Sequence, residues 1–183
     1  ILVGLWGSIQ FPLPVEALDL QQIVSREDFD TAVRSSGLLP ALSTEAILWN
    51  NVRSLLLAGF LALFSLGTIA EMLLMAPIAI IAYALFEIPK LGLDPWRFLL
   101  TSIVPHGVFE IPAAIIATAQ AMRMGIAILR DPADGGGVMG ILREFGHFVQ
   151  LFLILILPLL AVAAWIEAQL TPQLVISLLN SLN

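Results

Sequence analysis

Residues Pro105–Gly125 read PHGVFEIPAAIIATAQAMRMG, and this stretch decides the fold. A helix of about 20 apolar residues crosses the hydrocarbon core of a membrane, yet this one begins with His106 and Glu110. Because ionisable side chains are costly in lipid, we expect the face that carries them to pack against other helices of the chain. At about 100° per residue, that face holds His106, Glu110, Ala113, Ala117, Gln120 and Met124. The opposite face, which suits lipid, holds Ile111, Ile115, Thr118 and Met122.

Four residues of the spanning segments are candidate helix breaks. Pro105 and Gly107 flank the histidine, so we expect a helix to begin there with unpaired backbone N–H groups in its first turn. Pro112 and Pro158 each remove one hydrogen bond inside a predicted helix and should kink it.

Composition places the chain in a membrane. Apolar residues make up 59% of the 183 residues, charged residues 12%, and the mean hydropathy is +0.97. Surface-to-volume scaling rules out a soluble domain of this composition, so we predict an all-α, polytopic transmembrane helical bundle. The formal charge of -6 argues against nucleic acid as a partner, and the absence of cysteine excludes disulfides and zinc–thiolate sites.

We expect three regions along the chain. Residues 1–15 are apolar but too short to span, and are predicted to be the end of a truncated first transmembrane helix. Residues 16–45 carry six acidic residues against two arginines and are predicted to be an extramembrane segment with short amphipathic helices. Residues 46–183 are predicted to form the main membrane-embedded domain. Counting the truncated first helix, we expect about five spans.

Residues 49–87 are long enough for two spans. We predict a hairpin with its turn near Gly67-Thr68, the alternative being a turn near Met75-Ala76-Pro77. The first helix of the hairpin has a stripe of small residues that we expect to pack against the central helix. That stripe comprises Asn51, Ser54, Ala58, Ala62 and Ser65.

The remaining segments connect or complete the bundle. Residues 98–104 are too short to span and are predicted to end an interfacial helix or to re-enter the membrane. Residues 130–146, with three consecutive glycines, are predicted to be a flexible loop. Residues 148–169 form the last predicted span, which Thr171-Pro172 should end. The arginines around the loop place it inside the membrane-bounded compartment, with the acidic segment outside.

Polar residues on the predicted spans are candidates for one structural or functional intramembrane network. His106 and Glu110 have the spacing of two metal ligands on one helix, but two ligands are too few, and no HExxH pattern is present. Neither a nucleophile elbow nor a phosphate-binding loop occurs, so we expect no metal, no cofactor and no enzyme activity. The predicted network comprises Asn50, Asn51, Arg53, His106, Glu110, Gln120 and Glu167.

Three blocks of sequence resemble the stage II sporulation protein M family of bacterial and archaeal membrane proteins. They are Asn50–Arg53, then Ile103–Ala113 with its Pro-His-Gly-x-x-Glu pattern, and finally Trp165–Ala168 followed by Thr171-Pro172. The resemblance covers roughly residues 49–172. It implies an all-helical membrane domain with an external region after the first helix.

The resemblance also implies a function. The best-known members act with peptidoglycan-degrading partners during engulfment, and many others are encoded beside transporter components. We therefore expect a non-catalytic multi-pass protein of a bacterial or archaeal cytoplasmic membrane that anchors or organises a complex. Its partners would be the lipid bilayer and other membrane subunits or a second copy of the chain. The alternative is a permease-like subunit or carrier in which His106 and Glu110 handle a small solute, proton or cation.

Overall fold

The structure, a computed structural model, describes residues 25, 27, 31, 43–65, 67–130 and 137–181. The predicted truncated first helix and most of the predicted acidic segment lie outside the described residues. Within the described part, all regular secondary structure is helical and no strand occurs. The predicted all-α class is confirmed.

Six α-helices follow one another in the part of the described chain from residue 43 onward. The connection after α2 is a 3-10 turn at Ile88–Leu91, and a second 3-10 turn, Ala127–Leu129, follows α4. A π-helical turn at Phe152–Ile156 joins α5 to α6 without interruption. The helices are α1 (Thr44–Ser65), α2 (Thr68–Glu87), α3 (Pro95–Ser102), α4 (Val104–Ile126), α5 (Gly137–Leu151) and α6 (Leu157–Asn180).

Three helical stretches of the described chain are long and apolar enough to cross a membrane. They cover Thr68–Lys90, Val104–Leu129 and Gly137–Asn180. The chain is therefore a multi-pass membrane protein, as its composition predicts. The first predicted span lies outside the described residues, and α1 is a helix of 22 residues that is not among these three.

The predicted hairpin turn near Gly67-Thr68 is confirmed. Gly67 separates α1 from α2 with a φ of 90°, which glycine adopts readily. The Thr68 hydroxyl donates to the Ser65 carbonyl across the turn at 2.8 Å. Pro77 lies inside α2, so the alternative turn near residues 75–77 is wrong.

The chain divides into two compact units, and their boundaries fall inside continuous helices. Of the residues that the structure describes, the first unit comprises 25, 27, 31, 43–48, Pro77–Val108 and 163–181. In it, Ile47 packs with Ala164 and Ala168, while a second apolar cluster joins the turn after α2 to the end of α6. That second cluster comprises Ile88, Leu93, Val175 and Leu179, with Phe98 packed against it.

The second unit, Trp49–Ala76 and Phe109–Val162, is held together by small residues. Ala58, Ala62, Ala70 and Ala121 form a buried cluster of side chains. The alanines of the α1 stripe thus pack in one cluster with Ala121 of the central helix, a residue next to the inward face that we predicted and not part of it. Glycine allows equally close approach, since a Cβ added to Gly59 would lie 3.0 Å from the Phe148 ring.

The predicted end of the last helix at Thr171-Pro172 is wrong. α6 continues through this pair, and the proline side chain is fully buried. Residues beyond it, Val175 and Leu179, pack on Ile88 and Leu93. Burying two such side chains contributes about 3 to 6 kcal/mol, which offsets the roughly 3 kcal/mol cost of a proline inside a helix.

The predicted flexible loop at residues 130–146 is also wrong over its second half. Residues 131–136 lie outside the described part, but α5 already begins at Gly137. Gly140, Glu144 and Phe148 are buried at intervals of four residues, so one face of α5 packs inward. The prediction failed because three consecutive glycines are typical of loops, and their presence outweighed the amphipathic spacing of the residues that follow.

Candidate functional site

The start of α4 places the histidine of the central stretch in the first helical turn. The Gly107 backbone N–H donates to the Ile103 carbonyl at 2.9 Å, which is an ordinary i→i−4 bond of the first turn of α4. Pro105 also lies in this turn, where its missing N–H costs little. Pro112 lies within the same continuous helix, and Pro158 follows the π turn at the start of α6.

The face of α4 that we predicted to pack inward is buried over most of its length. His106 and Glu110 are half-buried. The buried members are Ala113, Ala117, Gln120 and Met124. On the opposite face, Ile111 and Ile115 are exposed, as predicted, but Thr118 is buried with 5% of its surface exposed. Its placement on the lipid face is therefore wrong.

Two helices bring three potential ligand side chains together. His106 of α4 and Glu167 of α6 belong to the first unit, and a ligand atom of one lies within 4.8 Å of a ligand atom of the other. Glu110 follows His106 by one turn of the same helix, and its carboxylate is within the same distance of the imidazole. Helix geometry alone fixes this second pair. We call His106, Glu110 and Glu167 the polar triad.

Two buried polar atoms near the polar triad have no hydrogen-bond partner among the described residues. One is the Nδ1 atom of His106, and the other is the hydroxyl of Thr171. Thr171 lies one turn after Glu167 in α6 and exposes 8% of its surface. Such groups cost about 1–3 kcal/mol each when they stay unpaired, so they mark a place where a polar ligand would be stabilised.

One imidazole nitrogen and two carboxylates form a donor set that metal ions use. The sequence indicated only His106 and Glu110 as a pair with the spacing of metal ligands, whereas the structure supplies Glu167 as a third candidate ligand. The four other residues of the predicted network are placed differently. Asn50 and Arg53 are exposed on α1, Asn51 is half-buried there, and Gln120 is buried on α4. Arg53 makes no ion pair with any residue that the structure describes.

A second charged cluster escaped the sequence analysis. Glu144 of α5 exposes 7% of its side chain and accepts from Arg123 Nε at 3.1 Å and from Arg123 Nη2 at 3.2 Å. Arg130 Nη1 and His147 Nδ1 each lie 3.9 Å from a Glu144 carboxylate oxygen. The four-residue spacing of Glu144 from Gly140 and Phe148 is the signal that could have predicted its burial.

Comparison with known proteins identifies the family. A sequence profile described as "Stage II sporulation protein M" matches residues 1–172. The chain belongs to this family. A search of curated proteins and a search of solved structures returned no match.

In this member of the stage II sporulation protein M family, two of the three sequence blocks meet at the polar triad. The Pro-His-Gly-x-x-Glu block contributes His106 and Glu110, and the block Trp165–Ala168 contributes Glu167. Thr171 belongs to the short motif that follows the latter block. Residues that are more than 50 positions apart in sequence therefore share one site.

Proposed function

We propose that this protein is a non-catalytic membrane subunit that anchors or organises a membrane protein complex in the cell envelope. The cytoplasmic membrane of a bacterium or archaeon is its proposed location. The observation that supports the proposal is an exposed face of α1 that is polar near the start of the helix and apolar towards its end. We call this surface the α1 face, and it comprises Asn50, Arg53, Ser54, Leu57, Phe60 and Phe64.

The α1 face has the chemistry of a helix–helix contact. Its six exposed side chains lie within roughly 120° of one another on the helix. Arg53 is nine residues from the start of α1, about 14 Å along the axis. An exposed arginine beside apolar side chains suits a carboxylate or carbonyl on a partner, because a hydrogen bond to a charged group contributes about 1.5–3 kcal/mol.

The span-like helices also leave much surface to be covered from outside the chain. The rest of the chain buries 13% of the most apolar 18-residue segment of Thr68–Lys90. It buries 28% of the corresponding segment of Gly137–Asn180. Lipid covers such surface, and so do helices of a second subunit or a second copy. This low internal burial supports a protein that works inside an assembly.

Co-purification tests the proposed role. The tagged protein would be extracted from its native membranes in mild detergent, and everything that co-purifies would be quantified by mass spectrometry. We expect a stoichiometric membrane partner with the unaltered protein and its loss by at least about tenfold with Arg53→Leu, because a contact to a desolvated charge is worth about 1.5–3 kcal/mol. Arg97→Leu, which removes an exposed arginine of α3, is the matched control.

Two outcomes would count against this role. One is a purified protein with no stoichiometric partner, and the other is equal retention of the partner by Arg53→Leu and Arg97→Leu. In the second case the contact exists but does not use the α1 face.

A second candidate function is a permease-like subunit or carrier. It is favoured by the position of the polar triad inside a span-like helix and by the π turn ahead of α6. Purified protein in liposomes should then conduct protons or a small cation, and His106→Ala combined with Glu110→Gln should abolish the flux. Flux that persists in the double variant, or no flux above empty liposomes, argues against a carrier.

A further inference from the structure

We propose that His106, Glu110 and Glu167 bind one divalent first-row transition-metal ion. Zn²⁺ is the ion of this class that the donor set fits best. The inference rests on the polar triad alone and is independent of the proposed function.

The separations within the triad are close to those of a metal site. Ligands of a tetrahedral zinc ion, at about 2.1 Å from the metal, lie about 3.4 Å from one another. One carboxylate oxygen of Glu110 and one of Glu167 each lie within 4.8 Å of an imidazole nitrogen of His106. A shift of about 1 Å in each side chain, which small changes of χ angle provide, brings the atoms to bonding distance.

The donor atoms decide which ions fit. An imidazole nitrogen favours zinc, iron, copper and nickel, whereas Ca²⁺ needs six or more oxygen ligands and Mg²⁺ keeps most of its water. Two carboxylates and one imidazole, with a water molecule as a fourth ligand, match the open tetrahedral sites of zinc. Among Mn²⁺, Fe²⁺ and Zn²⁺, such ligands bind Zn²⁺ most tightly.

Charge and burial favour an ion at this position. A divalent cation stabilises the ionised form of both carboxylates and neutralises their joint charge of −2, so the loaded triad carries no net charge. The two orphaned polar atoms are also accommodated, because an unpaired imidazole nitrogen is a potential ligand and the Thr171 hydroxyl can donate to a ligated carboxylate or a metal-bound water.

A bound ion would also tie two helices together within the first unit. His106 lies near the start of α4, and Glu167 lies in the middle of α6. An ion that binds the folded protein and not the unfolded chain raises the unfolding temperature, by an amount that grows with the logarithm of the free ion concentration above its dissociation constant. Metal binding should therefore be visible both as retained ion and as increased thermal stability.

The test uses the full chain, purified in detergent with a tag that contains no histidine and stripped with a chelator. Binding of Zn²⁺ would be measured by equilibrium dialysis and elemental mass spectrometry, and stability by thermal unfolding. We expect about one ion per chain and a higher unfolding temperature with Zn²⁺. Glu110→Gln and Glu167→Gln preserve side-chain size and should each weaken binding by at least about 100-fold, since first-shell ligands outweigh the 10–100-fold effect of second-shell groups.

Two matched controls each remove a side chain of the same type, one histidine and one glutamate, outside the polar triad. His147→Gln replaces the half-exposed histidine of α5, and Glu71→Gln replaces an exposed carboxylate of α2. Both should keep the zinc affinity and the thermal shift. If a triad variant fails to fold, Thr171→Val provides a readout that leaves all three ligands in place, and it should weaken binding by about tenfold.

The proposal is overturned if the stripped protein takes up far less than one zinc ion per chain at saturating concentration. It is equally overturned if the glutamine variants, or Thr171→Val where those do not fold, bind Zn²⁺ as tightly as the controls. Binding that His147→Gln abolishes would assign the ion to the surface of α5 and not to the triad.

Discussion

Gly67→Ala should lower the free energy of unfolding by about 2–5 kcal/mol, the largest loss that we expect from adding a single methyl group. Two costs contribute. The φ of 90° at this turn is strained for a residue with a Cβ, at about 1–2 kcal/mol. The new methyl group would also lie 2.7 Å from the Cα atom of Met122, and overpacking against a backbone that cannot rotate away costs about 1–3 kcal/mol more.

Unfolding in mixed detergent micelles, followed by circular dichroism, would measure this loss. Gly92→Ala is the matched control, because Gly92 also has a positive φ, 76°, but its added Cβ would meet nothing within 4 Å. It should show the conformational cost alone, about 1–2 kcal/mol. Equal losses for the two variants would mean that the contact with Met122 carries no energetic weight.

Arg123→Leu should destabilise the protein by about 2–3 kcal/mol. The substitution removes both hydrogen bonds to Glu144 and leaves a carboxylate whose side chain is only 7% exposed. Loss of one partner of a fully buried pair costs about 3–5 kcal/mol, but Arg123 itself is 56% exposed, and water reduces the effect. The same unfolding assay measures the change.

Removing the Glu144 carboxylate together with Arg123 should recover most of the free energy of unfolding that Arg123→Leu loses. In the double variant Arg123→Leu/Glu144→Leu, no buried charge remains unpaired, so we expect it to be more stable than Arg123→Leu alone. Arg143→Leu, a neighbouring exposed arginine of α5, should change stability by less than about 0.5 kcal/mol. A value that small for Arg123→Leu itself would show that the ion pair is not structural.

Sequence periodicity predicted the features that depend on local rules. The inward face of α4 follows from the spacing of Ala113, Ala117 and Met124, and the hairpin turn follows from a glycine between two apolar runs. The same periodicity wrongly predicted that Thr118 faces lipid, because the residue is buried. It lies about 100° from Ala117 on the helix, so the buried surface of α4 is wider than a single stripe.

Features that depend on distant contacts were not predictable in this way. The sequence grouped Glu167 with His106 among the polar residues of the predicted spans, but it gave no sign that the two side chains come within 4.8 Å, since they are 61 positions apart and are joined only by packing. Likewise, Pro172 reads as a helix end until the burial of Val175 and Leu179 is known. In both cases tertiary packing outweighs a local preference.

The wide turn at Phe152–Ile156 bears on how family members are aligned. A π turn holds one residue more than an α turn, so a relative can lack that residue and keep the faces of α5 and α6 in register. A single-residue gap anywhere else in this stretch would rotate every later side chain by about 100° and turn Glu167 away from His106. Evolutionary length changes in the last helix should therefore concentrate between Leu151 and Leu157.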